Sequence, residues 1–191
     1  MTTPSDPEQA DIAVANAVEP LQDTAPVKAL GWASEIADQP QLISSCIAVG
    51  VAGLVLGSRR LARTGGRMLA AELLVTKLKS LIKHRIDRSR PAELAKGHGY
   101  TAEAGNDTSS EMSSFPSGHT GGAVAVARAF ARDYPEQAVV GYGVAAAIAV
   151  IQVPRGKHYV SDLIAGALLG VAAEQASWAV ERLVVGSRGS N

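Results

Sequence analysis

Residues 137–162 read QAVVGYGVAAAIAVIQVPRGKHYVSD. Gln137 to Val153 carries no charge and is followed at once by Arg155, Lys157 and His158. A run of that length sits at the short end of what a bilayer-spanning helix needs, roughly 17–25 residues. It shows no period-two alternation, so it reads as helix rather than strand. Outward from it, Leu42 to Ser58 is a second charge-free run, and Leu163 to Val185 is a third, interrupted by Glu174 and Glu181. Two more segments are helical by pattern but poorer as spans: Met68 to Ile82, with Lys77 and Lys79, and His119 to Ala131, with Arg128. Ionisable groups inside spans usually face a bundle interior or lie near an end. The expected fold is all-α, an integral membrane helical bundle of about five transmembrane helices. A short amphipathic helix near Val27 to Ala37 precedes it and is expected to lie along the interface. Gly53-x3-Gly57 and Gly166-x3-Gly170 have the spacing of close helix–helix approaches, or arise by chance among 19 glycines.

The chain has 191 residues and zero formal net charge, so one domain is expected and no global field draws it to nucleic acid. The zero hides an asymmetry. Residues 1–25 hold five acids (Asp6, Glu8, Asp11, Glu19 and Asp23), three prolines and no Lys or Arg. That stretch reads as a disordered acidic tail ahead of a membrane-embedded domain, 26–191. It lacks the basic start and apolar run of a signal peptide. Cys46 is the single cysteine and, inside an apolar run, is expected to be a small buried side chain. With five spans, Arg59, Arg60, Arg63 and Arg67 share a side with Arg132, Arg182 and Arg188. The positive-inside rule makes that side cytoplasmic. The expected location is an inner (cell) membrane, with the chemistry-bearing residues facing the periplasm or exterior.

Three clusters carry that chemistry. Lys83 and Arg90 are seven residues apart, two helical turns, so both cations fall on nearly one face before Pro91 ends the helix. Alone, this also reads as a basic juxtamembrane stretch with Arg85 and Arg88. Pro116-Ser117-Gly118-His119 opens a helix, with Ser117 as a plausible N-cap and Gly118 permitting close approach. Free N–H groups and the helix dipole there favour an anion, and His119 in the first turn would point at it. His158 and Asp162 are four apart, so the carboxylate can hold one ring nitrogen as N–H and free the other as a nucleophile. An ordinary i,i+4 ion pair would look the same. The 24 residues from Ala92 to Phe115 join two clusters and are expected to act as a lid or substrate gateway. In this order among apolar segments, the clusters point to phosphoryl chemistry at a membrane.

These residues resemble the type 2 phosphatidic acid phosphatase superfamily, lipid phosphatases that share a site design with vanadium haloperoxidases. The resemblance covers roughly Leu69 to Gly170. Two of its motifs, Lys-x6-Arg-Pro and Pro-Ser-Gly-His, are present in full at Lys83/Arg90/Pro91 and Pro116 to His119. It implies that His158 attacks phosphorus, that Asp162 orients it, and that His119 protonates the leaving alcohol and later assists water. It further implies that Lys83, Arg90, Ser117 and the Gly118 amide hold phosphate oxygens, with no metal and no cofactor. The third motif, Ser-Arg-x5-His-x3-Asp, is incomplete: Ile151 and Gln152 stand where the family has serine and arginine. Arg155 or Lys157, in the same turn, could replace the missing cation; Arg155 is expected on its forked geometry, with Gln152 donating a neutral hydrogen bond. The implied substrate is a membrane lipid phosphate or diphosphate. Undecaprenyl diphosphate, phosphatidylglycerol phosphate, phosphatidic acid and lipid A phosphate are all compatible. The alternative is a weakened relative that binds phospholipid headgroups without turnover.

Overall fold

The computed structural model describes residues 4–188. Among them are eight α-helices: α1 (Asp6–Val18), α2 (Ala25–Ser34), α3 (Gln39–Val55), α4 (Arg59–Lys83), α5 (Pro91–Ala95), α6 (Gly118–Asp133), α7 (Ala138–Ile151) and α8 (Val160–Arg188). The five helices expected from apolar patterning are α3, α4, α6, α7 and α8. Helix α6 lies at the centre, against α4, α7 and α8, and α3 packs on α4. Such close packing follows from small side chains: Cys46, Ala71, Ala125, Ala129 and Ala173 form much of the buried core with Met68 and Val75. A Cβ on Gly166 would stand 2.5 Å from the Ser117 carbonyl oxygen, and one on Gly170 would stand 2.4 Å from that of Gly121. Helix α8 therefore touches the backbone of α6 at the turn that carries Ser117 and His119. Gly53 is a contact of the same kind against Ala62, but Gly57 is not: at φ +65° it ends α3. There Ser58 N–H bonds the Gly53 carbonyl at 2.8 Å, the wrapped helix end that a left-handed glycine permits.

By length and composition one helix among the described residues, Val160–Val184, is apolar and long enough to cross a bilayer; Gln39–Val55 and Pro135–Ile151 are apolar but shorter. The outer faces are nonetheless greasy. Leu54 and Val55 on α3, Val139 and Val150 on α7, and Ile164 and Leu168 on α8 are exposed, while Glu72, Asp133 and Glu174 are buried. That pattern, reversed from water-soluble bundles, suits helices set in lipid. The acids that interrupt the third apolar run are paired: Glu174 accepts from Arg128 at 3.2 Å and from Arg132, and Glu181 accepts from Arg67 at 2.7 Å. Arg63 and Arg67 also bond Asp133, at 2.8 and 2.7 Å. These contacts join the start of α4 to the end of α6 and the second half of α8, so they mark one end of the bundle.

Two expectations are corrected here. Residues 1–25 are not a disordered tail: α1 begins in a capping box, in which Ser5 N–H donates to Glu8 at 2.7 Å, and the helix buries Asp11 and Ala15 (residues 1–3 lie outside the described part). The composition is acidic and proline-rich, but α1 docks mainly through polar groups instead of an apolar face. The loop from 92 to 115 is also not a free lid. Ala102–Ala104 pairs antiparallel with Ile86–Arg88 as a two-stranded ribbon, strands β2 and β1. Backbone bonds from Arg88 to Met112 and from Arg90 to Glu111 pin the rest of the loop beneath the site. Strands of three residues are too short to leave an alternating pattern in sequence.

Candidate active site

At the other end of the bundle a cavity of about 330 Å³ opens between the end of α4, the start of α6 and the turn before α8. Lys79, Lys83, Arg90, Gly118, His119, Lys157 and His158 line it, with Glu35 and Asp38 on one wall. The structure thus brings together five of the nine expected site residues around one space: Lys83, Arg90, Gly118, His119 and His158.

His158 is held from behind. Its Nδ1 lies 2.8 Å from the Ser114 carbonyl oxygen. A carbonyl can only accept, so Nδ1 carries the proton and Nε2 keeps its lone pair. The expected direct bond from Asp162 is replaced by an indirect one: its Oδ2 stands 3.7 Å from Nδ1 and instead accepts from the Ser114 hydroxyl at 2.5 Å and the Tyr159 N–H at 2.8 Å. The other oxygen accepts from Arg88 at 2.5 Å. Asp162 therefore orients the histidine through Ser114. Burial pushes the His158 imidazole below its ordinary value; Asp162 pulls the other way, and the charges of Arg90 and Lys83 add to the fall. The lowered value favours the neutral ring, in which Nε2 keeps its lone pair.

Several polar groups at the cavity are unpaired or perturbed. Buried Arg90 Nε and His119 Nε2 have no hydrogen-bond partner. Burial, then the neighbouring charges of Arg90 and Arg155, lower the Lys157 ammonium from its ordinary value. An unpaired buried donor costs about 1–3 kcal/mol, so an acceptor in the cavity that met Arg90 Nε would be stabilised there. A Cβ on Gly118 would lie 3.0 Å from the Lys79 ammonium, so glycine leaves that lysine room at the cavity wall.

Ser117, Arg155 and Gln152 do not line the cavity, although Ser117 is the helix cap that was expected. Ser117 caps α6, its hydroxyl accepting from Thr120 N–H at 3.4 Å, and is buried beneath the cavity floor. Arg155 Nη1 donates to Ser34 at 2.8 Å and Nη2 pairs with Glu35, so its guanidinium is taken up by the segment after α2. Glu35 is held below the usual carboxylate range: burial raises it, and the Arg155 bond and charge outweigh that. Gln152 is fully buried and donates to the Ile148 carbonyl at 2.9 Å. The cation that enters the cavity from this turn is Lys157. Replacing it by alanine is expected to lower kcat/KM roughly ten- to a hundredfold, since a hydrogen bond to a charged group is worth about 1.5–3 kcal/mol. Arg155→Ala should change kcat/KM less than about threefold, and steady-state kinetics on both variants checks the contrast.

Reasoning from sequence missed Lys79, Glu35, Asp38, Ser114 and Arg88. Lys79 had a signal, the i,i+4 spacing to Lys83 on one helical face. Asp38 Oδ1 comes within 3.5 Å of His119 Nε2, and Glu35 within 4.0 Å, so the two carboxylates can orient that ring or accept a proton from it. One atom from each of the three lies within 4.8 Å of the others, close enough to share a cation.

The sequence model of the PAP2 superfamily matches residues 64–183, well over half of the chain. The chain belongs to the PAP2 superfamily. In fold, this PAP2-superfamily protein is similar to a solved structure described as the first transmembrane PAP2 type phosphatidylglycerolphosphate phosphatase from Bacillus subtilis. The TM-score is 0.68 at 16% identity, over 95% of this chain and 89% of that one. No curated protein matches. The matched span starts at Thr64 and so leaves out α1, α2 and α3, together with the turn between α2 and α3 that brings Glu35 and Asp38 to this PAP2-superfamily site.

Proposed function

We propose that this PAP2-superfamily protein is an integral membrane phosphatase that removes phosphate from a lipid phosphate or diphosphate through a phosphohistidine. The observation that carries this is the convergence of a back-anchored His158 with Arg90, whose buried Nε has no hydrogen-bond partner, and with Lys79, Lys83 and Lys157 around one cavity. His158 Nε2 attacks phosphorus, forming a P–N bond as the ester P–O bond breaks. His119 gives its proton to the departing oxygen. Water then attacks the phosphohistidine, His119 takes a proton from it, and inorganic phosphate leaves with His158 restored. Arg90, Lys83, Lys79, Lys157 and the Gly118 N–H neutralise the charge spread over the three phosphoryl oxygens, and no metal is required for the step.

Helices α3, α4, α6, α7 and α8 are the membrane segments in this reading, with α2 along the interface. The exposed Trp32, 81% accessible, and Leu30 supply the amphipathic anchor. The arginine-rich end of the bundle faces the cytoplasm and the cavity faces outward. The headgroup-binding alternative drew its support from Gln152, and Lys157 in the cavity removes much of that ground.

The test is phosphate release from phosphatidic acid, phosphatidylglycerol phosphate and undecaprenyl diphosphate by detergent-purified protein in excess EDTA. Release from at least one lipid is expected. Release that stops in EDTA and returns with a divalent ion would assign Glu35, Asp38 and His119 to a required cation. No release by folded protein would favour the headgroup-binding alternative.

A further inference from the structure

Behind His158, on the side away from the cavity, the supporting residues form one continuous chain. Ser114 bonds His158 through its carbonyl oxygen and Asp162 through its hydroxyl. Asp162 Oδ1 accepts from Arg88 Nη1 at 2.5 Å. Arg88 Nη2 donates to Asp11 Oδ2 on α1 at 2.8 Å. Asp11 is fastened in turn, accepting from Ser161 N–H at 3.1 Å and from the Ser161 hydroxyl. The side chains of Asp11, Arg88 and Asp162 are 7%, 6% and 0% exposed, so the linkage is screened little by bulk solvent. Arg88 also lies over the Tyr159 ring, 4.4 Å from its centroid.

We infer that Asp11, carried by the amino-terminal helix, is a positioning residue for His158 and acts through Arg88, Asp162 and Ser114. One guanidinium here serves two carboxylates, one nitrogen to each. A guanidinium facing a lone carboxylate prefers both oxygens at once. Without Asp11, Arg88 Nη2 loses its partner and turns to Asp162 Oδ2, where it competes with the Ser114 hydroxyl and the Tyr159 N–H. Ser114 then loosens, and with it the carbonyl that fixes the His158 tautomer and ring plane. Asp11 therefore keeps Arg88 to a single oxygen of Asp162, and α1 is part of the catalytic support although it lies outside the superfamily match.

This inference rests on His158 as nucleophile, and the experiment separates the two. Steady-state kinetics are measured for the full chain and for Asp11→Asn, which keeps the shape and removes the charge. Inhibition constants for inorganic phosphate and for orthovanadate are measured on both. Vanadate takes up the five-coordinate geometry of a phosphoryl group in flight, so it reports how well the site meets the transition state. A displaced nucleophile is expected to lower kcat on the order of 10- to 100-fold. KM and phosphate inhibition should hold within about threefold, while vanadate weakens in step with kcat. Ser161→Ala, a milder cut at the same joint, should show the same pattern in smaller measure. A fall in kcat with both inhibition constants unchanged would mean fewer intact molecules, a merely structural role, and would overturn the inference. An unchanged kcat would overturn it equally. If the native chain releases no phosphate, the phosphatase reading fails, and vanadate affinity by titration calorimetry, native against Asp11→Asn, then decides the role of Asp11.

Discussion

His158→Ala is expected to lower kcat for lipid phosphate hydrolysis by about four orders of magnitude or more while leaving KM within a few fold. Removing a nucleophile from a concerted set of groups costs about as much as removing the set, on the order of 10⁶ in the best-studied hydrolase. Here the cations that bind the phosphate do not depend on the imidazole: Arg90, Lys83, Lys79 and Lys157 line the cavity independently. The pH profile supplies a second reading of the same group. His158 must be neutral to attack, and burial, helped by Arg90 and Lys83, sets its pKa below the ordinary histidine value. The acid limb of native kcat/KM should therefore lie below pH of about 6.5, the unperturbed value. Activity falls as pH drops through that lowered pKa, and rises no further above it. A limb above 6.5 would mean that Asp162 outweighs burial.

Arg88→Met should be the most damaging change to stability. It leaves Asp11 and Asp162 facing one another in a site where neither is more than 7% exposed. Breaking a buried pair by removing one partner costs about 3–5 kcal/mol, because the remaining charge has no compensation. For a chain of this size that corresponds to a fall in apparent Tm of roughly 6–20 °C. Scanning fluorimetry in mild detergent measures it. Adding Asp11→Asn to Arg88→Met should recover part of the loss, since it removes one uncompensated carboxylate. Additive losses would show that the two residues do not share a charge balance.

The helices were legible because their outward faces are apolar and nearly free of charge, which leaves long apolar runs in the sequence. Each of α3, α4, α6, α7 and α8 has a stretch of helical period or charge-free composition, and Gly57 falls at the end of α3. Pro91, expected to end the helix of Lys83, instead opens α5, because α4 already stops at Lys83. The cavity was half legible. Gly118 and His119 stand in one helical turn, as expected, but Lys83 and Arg90 do not share a helix face: α4 ends at Lys83, and β1 with the start of α5 brings Arg90 back to the cavity. Arg88 with Asp11 could not be read in this way. The two are 77 positions apart, and a basic juxtamembrane residue and an acid in a polar stretch each have a simpler local meaning. Arg155 illustrates a different limit. Its forked geometry suited phosphate, but Glu35 and Ser34, more than a hundred residues upstream, hold the fork first. Ser117 was correctly expected as a helix cap, its hydroxyl oxygen accepting from Thr120, but it is buried and does not line the cavity.

The most direct test of the account is to trap the covalent intermediate. Purified protein is mixed with a lipid phosphate that it turns over, quenched in alkali where a phosphoramidate survives, digested, and mapped by mass spectrometry. The account predicts one phosphate on the peptide containing His158, absent from His158→Ala and accumulating in His119→Ala, where hydrolysis of the intermediate is slowed. Rapid phosphate release with no phosphohistidine at His158 in either native or His119→Ala protein would contradict it.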